Sequence, residues 1–199
     1  MLPFREIGFV LLAAIAVYTL LAIASYSPLD PSWGHAGTDL RVSNLVGISG
    51  AWIAEFVLLA FGWVSYLLVA GLVIVGGRLI VTRGLPWSWT VAGIRFLGFA
   101  ALVAATCLLL RLHVGSPPKL PAGAGGALGD SLFRLGMPAF KSVGLTLIAF
   151  AWLLVGTQLT LGFTWKNLVE KTGMWIHRGI RIFARVAKES GHAFGRGID

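Results

Sequence analysis

The chain has 199 residues, of which 57% are hydrophobic and only 12% charged, and its mean hydropathy is +0.83. A surface dispersed in water needs roughly a quarter of its residues charged, so a soluble single domain is excluded and most of the exterior is expected to meet lipid. Sixteen Lys and Arg against eight Asp and Glu leave a formal net charge of +8, clustered outside the long apolar runs.

A bilayer core about 30 Å thick asks for roughly 20 apolar residues per helical crossing. Four segments qualify, and the predicted fold class is an all-α integral membrane protein of four transmembrane helices. The first span runs from Ile7 to Ala24 without a charge. It is followed by Ser25-Tyr26-Ser27-Pro28 rather than a small-residue cleavage site, so it is expected to stay in the mature protein. The second span, from about Trp52 to Val75, holds one acid, Glu55, within a turn of its end. The third, from about Trp87 to Leu110, contains Arg95, which snorkels if the nearer surface lies at the Trp87 end. The fourth, Ser142 to Trp165, is charge-free.

Between the spans lie two expected outer loops, 25–51 and 111–141, with a tail at 166–199. The second loop is rich in Gly and Pro and reads as irregular, with a short helix near Asp130 to Leu135. None of these pieces is large enough to bury a core of its own. Ten Lys and Arg flank the spans on the side of the termini and the 76–86 loop, eleven with Arg95, against five in the two outer loops. Basic residues near span ends are retained inside, so both termini are expected in the cytoplasm.

The spans offer packing features more than chemistry. Trp63 and Trp152 lie near span midpoints, away from the interfacial belt that suits Trp33, Trp87, Trp89 and Trp165, and are expected to pack between helices. Ala100 with Ala104, and Ala101 with Ala105, give the third span a small-xxx-small face. Asn44, Gly47 and Gly50 are further candidate helix-packing positions. Glu55 and Arg95 are default candidates for an ion path, but each lies within about two turns of a span end, where reaching interfacial water costs little.

Catalytic signatures are missing. No lysine follows a glycine, so there is no P-loop. Leu128 occupies the third glycine position of a dinucleotide pattern started at Gly123 and Gly125. His35, His113, His177 and His192 have no ligand spacing, and Asp30 and Asp39 share a loop with nothing to set them as acid and base. The single cysteine, Cys107, excludes an internal disulfide and a cysteine metal site. No catalytic, cofactor-binding or metal-binding residue is therefore assigned.

The tail is more informative. Arg178, Arg181, Arg185 and Lys188 recur at spacings of three and four, with Ile176, Ile180, Phe183 and Ala187 on another face. This predicts a basic amphipathic helix in the headgroup layer, a candidate site for anionic lipid, with a nucleic-acid contact as the competing reading.

The first outer loop carries Ser25-Tyr26-Ser27-Pro28-Leu29-Asp30-Pro31-Ser32-Trp33, then Asn44-Leu45-Val46-Gly47-Ile48-Ser49-Gly50-Ala51. These elements resemble the Ser-Tyr-x-x-x-Asp-Pro-Ser-Trp and Asn-x-x-Gly-x-x-Gly-Ala motifs that flank the first loop in the N-terminal membrane domain of the FtsK/SpoIIIE family of bacterial DNA translocases. The similarity extends to Phe61-Gly62 with Tyr66-Leu67-Leu68, and more loosely to Leu120-Pro121-Ala122-Gly123-Ala124-Gly125-Gly126 with Gly129. Physics supports a stiff bend here without the resemblance. Two prolines push Ser27 and Asp30 toward extended conformations, Asp30 can accept backbone hydrogen bonds, and Tyr26 and Trp33 suit the interface. Whether the bend only joins helices or presents Tyr26, Pro28, Asp30, Pro31 and Trp33 to partners stays open at this point.

The resemblance implies a septum-targeting membrane module that docks onto other membrane division proteins, ahead of a linker and a hexameric ATP-driven motor that moves chromosomal DNA. The chain stops at Asp199 before any motor, as a fragment or a short homologue would, so ATP and DNA binding are expected only outside it. The rival reading is a small four-helix transporter or channel, which would call for broken helices or charge near the bilayer midplane. An intramembrane enzyme would need a clustered nucleophile, base or ligand set.

Overall fold

The computed structural model describes residues 2–33, 42–81, 88–118 and 120–162. Contacts divide the chain into two units, Met1–Thr160 and Leu161–Asp199. The described helices pack within the first; the expected tail helix with Arg178, Arg181, Arg185 and Lys188 lies outside the described residues. The described residues form helices α1 (Leu2–Ala24), α2 (Gly47–Phe61), α3 (Ser65–Val81), α4 (Trp89–His113) and α5 (Gly126–Leu161), with a 3-10 turn at Gly62–Val64 and no strand. Four helical segments, Glu6–Ala24, Gly47–Arg78, Trp89–His113 and Gly126–Leu161, are long and apolar enough to cross a membrane.

Their packing is the reverse of a soluble bundle. The buried positions are mostly small, including Ala16, Ala22, Ala51, Ala54, Ala105 and Ala149, while Ile7, Leu11, Val17, Phe56, Phe96, Leu147 and Phe150 stand exposed. Lipid is as apolar as leucine, so large side chains gain little by turning inward, whereas small ones let helix backbones approach and gain dispersion contacts. The same rule corrects the reading of Trp63 and Trp152. Both face outward, 46% and 52% exposed, because the interior positions are taken by small residues. Ala100 is likewise exposed and Ala104 half-buried; on α4 it is Gly98, Val103, Ala105, Cys107 and Leu108 that turn inward.

Neighbours in sequence are antiparallel neighbours in space. Gly76 of α3 lies against Phe9 and Leu12 of α1. Gly71 of α3 meets Phe99 of α4, and Val64 clusters with Val103 and Cys107. Leu108 of α4 packs with Leu145 and Ala149 of α5, and farther along Gly98 crosses Gly156 closely. A Cβ on Gly156 would lie 2.8 Å from the Gly98 carbonyl oxygen and 2.7 Å from the Leu102 amide nitrogen. Both long connections, after α1 and after α4, therefore sit at one end of the bundle.

Two of the apolar segments are longer than a crossing needs, and both bend. Gly62 has φ 58° and ψ −135°, a conformation open mainly to glycine. In a straight helix residues eight apart are separated by about 12 Å, yet the Ser65 hydroxyl lies 2.9 Å from the Val57 carbonyl oxygen. That distance means α2 is turned sharply away from α3. In α5 the break is Lys141, with φ 52° and ψ −179°; Leu145 folds back against Gly136 and clusters near Leu132 and Phe133. The segment 126–140 is thus a helix of its own. The expectation of an irregular 111–141 loop, with helix only near Asp130 to Leu135, is corrected for 126–140; residues 114–118 and 120–125 are irregular. In each half a span leads into an irregular stretch, then a short helix, a backbone break and a returning span.

Candidate docking surface at the loop end

The element that binds the first connection together is Asn44. It is 5% exposed, and its Nδ2 donates to the carbonyls of Ala22 at 2.8 Å and Ser25 at 3.4 Å. Ala22 belongs to the last turn of α1 and Ser25 directly follows it, where carbonyls lack intrahelical donors. Its Oδ1 accepts from the Val46 amide at 3.0 Å, its carbonyl accepts from the Gly47 amide at 2.9 Å, and its own amide donates to Asp30 Oδ2 at 2.9 Å. Ser25 adds a second cap, donating its hydroxyl to Leu21 O at 2.6 Å and accepting from the Leu45 amide at 3.0 Å. Gly50 is small for a steric reason: a Cβ there would collide with the Asn44 side chain and lie 2.6 Å from Val46 Cβ.

Asp30 completes the latch. Only 1% exposed, it accepts from the amides of Ser43 at 2.8 Å and Asn44 at 2.9 Å, tying the residues after α1 to those before α2. The place of Asp30 among the docking residues is thereby corrected: its charge is spent inside the loop, since a buried carboxylate must be hydrogen-bonded. Pro28 and Trp33 are exposed, and Tyr26 and Pro31 are half-buried. Trp33, 69% exposed, donates its backbone N–H to Glu55 Oε2 at 2.9 Å and rests its ring against Trp52, centroids 4.9 Å apart and tilted by 53°. Glu55 is 7% exposed; it turns inward to this loop and does not reach for interfacial water. Burial first, then the charges of Glu55 and Asp30, raise the Tyr26 hydroxyl above its ordinary value.

The second connection docks through backbone onto the break between α2 and α3. The Trp63 amide donates to Ala124 O at 2.9 Å, and a Cβ on Gly126 would lie 2.5 Å from Ala60 O. Gly125 and Gly129, one helical turn apart, let the start of α5 lie on the Cys107 carbonyl of α4. This Gly-x-x-x-Gly pair is legible in the sequence, but it falls in a stretch assigned to a loop. Asp130 binds Arg111 at 2.9 Å and Arg134 at 2.7 Å, and the Arg111 guanidinium lies 4.6 Å over the Phe133 ring. Two of the basic residues counted toward topology are thus paired with an acid. Among the described residues no group of three His, Cys, Asp or Glu could hold a metal ion.

At this end Trp33 stands exposed against Trp52, beside the backbone contacts that join the second connection to the α2–α3 break. The family described as the 4TM region of DNA translocase FtsK/SpoIIIE matches residues 3–173. A Pseudomonas aeruginosa protein named DNA translocase FtsK is 32% identical over 173 residues, covering 85% of this chain and 21% of that protein. A Ralstonia nicotianae protein named DNA translocase FtsK 2 is 35% identical over 177 residues, covering 84% and 22%, and a Shewanella oneidensis DNA translocase FtsK is 31% identical over 171 residues, covering 84% and 18%. The chain spans about a fifth of the length of these curated relatives. No solved structure matches. With nearly its whole described length inside that match, the chain belongs to the family of the 4TM region of DNA translocase FtsK/SpoIIIE.

Proposed function

We propose that this chain is the membrane anchor and septum-targeting module of a cell-division DNA translocase, coordinating assembly of the division machinery with chromosome segregation. The observation that carries the reading is the match of residues 3–173 to the four-span part of proteins named as DNA translocases, of which it makes up about a fifth. The chain itself is non-catalytic. ATP hydrolysis, DNA binding and assembly into a hexamer belong to the remainder of such a translocase, beyond the span of the match.

In this reading both termini face the cytoplasm, and the loop end, with Tyr26, Pro28, Pro31 and Trp33, faces outward in the inner membrane and meets other membrane division proteins. Asp30 shapes that surface from within. The basic tail, through Arg178, Arg181, Arg185 and Lys188, lies on anionic lipid. A transporter would use broken helices to bind its substrate, but here the break at Gly62 is filled by Ala124, and Ser65 shares its hydroxyl proton between the Gly62 and Val57 carbonyls. A fluorescent fusion of the chain tests the proposal. Concentration of the signal at the division site, lost on Trp33→Ala with membrane insertion intact, supports it; uniform membrane fluorescence of the parent fusion refutes it.

A further inference from the structure

Beside the latch lies a recess of about 350 Å³ bounded by Trp33, Glu55, Phe56 and Leu59, at the small end of the range for ligand sites. Among the described lining residues three are apolar and the fourth is Glu55, 7% exposed, whose Oε2 already accepts the Trp33 amide. Trp33 is held in place at both ends, by its amide on Glu55 and its ring on Trp52, yet 69% of it stays exposed. Phe56, 59% exposed, lies one residue from Glu55 on the same helix. Aromatic faces attract cations through the ring quadrupole, and a carboxylate accepts several donors at once. The pairing selects a ligand that is cationic at one end and apolar at the other.

We propose that this recess holds the primary ammonium headgroup of an aminophospholipid, phosphatidylethanolamine in chemical class, with its acyl chain along Phe56 and Leu59. A lipid is the occupant because the exposed neighbours on α2, Ile53, Phe56 and Leu59, are apolar, and such a face on a membrane-spanning chain meets acyl chains. The ammonium reaches Glu55 and the Trp33 ring together, which an anionic glycerol headgroup does not reproduce.

The test is native mass spectrometry of the full chain released from nanodiscs that contain equal phosphatidylethanolamine and phosphatidylglycerol. The expected result is a preference for retained phosphatidylethanolamine of about tenfold, falling to near parity in Glu55→Gln and in Trp33→Ala. Because the Trp33 side chain is largely exposed, its truncation leaves the bundle packed, so the second variant reads binding even if the first perturbs the latch. Trp89→Ala removes an exposed tryptophan elsewhere and keeps the preference. Equal retention of the two lipids by the parent chain overturns the proposal. So does a preference that survives Trp33→Ala, or one lost equally in Trp89→Ala.

Discussion

Replacing Asp30 by Ala removes the acceptor of two amides at once. The Asn44 amide is buried, and a buried donor bonded to a charged group loses about 2 kcal/mol when orphaned. Ser43 is exposed, so its amide finds water and loses about 1 kcal/mol or less. The latch of Asp30 on Ser43 and Asn44 is therefore weakened by about 3 kcal/mol, a factor of roughly 100 in its opening equilibrium. The spans are held by lipid and by one another, so the effect stays local and global unfolding misses it. Amide hydrogen exchange of the full chain in nanodiscs reads it directly: Asn44 and Leu45 exchange roughly 100-fold faster in Asp30→Ala and about tenfold faster in Asp30→Asn, which keeps one acceptor oxygen. Leu29→Ala, at an exposed neighbour, leaves exchange unchanged. If Asn44 stays as protected in Asp30→Ala as in the parent, the latch does not exist.

Glycine-to-alanine changes on α4 have opposite signs. Gly93→Ala, with open space around its Cβ, stabilises by about 0.5–1 kcal/mol through helix propensity, whereas Gly98→Ala, whose Cβ would lie 2.5 Å from Leu159 Cβ, destabilises by about 1–3 kcal/mol; thermal unfolding in detergent with both moving the same way would contradict the α4–α5 crossing. Tyr26, isolated for spectrophotometric titration by Tyr18→Phe and Tyr66→Phe, ionises above the ordinary value of 10.0, and Glu55→Gln lowers it part of the way because burial is the larger cause. The folded state holds that proton more tightly, so the stability it contributes is complete below the free value and lost as pH rises through the raised one; an unshifted titration refutes the burial of Tyr26 beside Glu55.

Hydropathy alone made four membrane helices legible, because apolar length is a property of composition. What it hid were the turns inside apolar runs. Gly62 sits among Phe61, Trp63 and Val64, so nothing in hydropathy marks the end of one helix and the start of another. The stretch 126–140 looked like loop because its glycines were read as breakers, whereas Gly125 and Gly129 serve as contact points on α4. The motif residues of the first connection were visible, but their division of labour was not. Asp30 and Trp33 flank Pro31-Ser32, and it is contacts far along the chain, Ser43 and Asn44 for Asp30 and Glu55 and Trp52 for Trp33, that make one interior and leave the other exposed. Ala100 and Ala104 satisfied small-residue spacing, yet every helix has several such stripes, and the partner helix selects among them.

The hydrogen bond from Trp63 to Ala124, and the approach of Gly126 to Ala60, are made of main-chain atoms. Main chain cannot swing aside like a side chain, so the two hairpins are pinned together at the end where both connections emerge. A load taken up on either connection is transmitted to all four crossings, and the chain resists tugging as one post and not as two separate stakes.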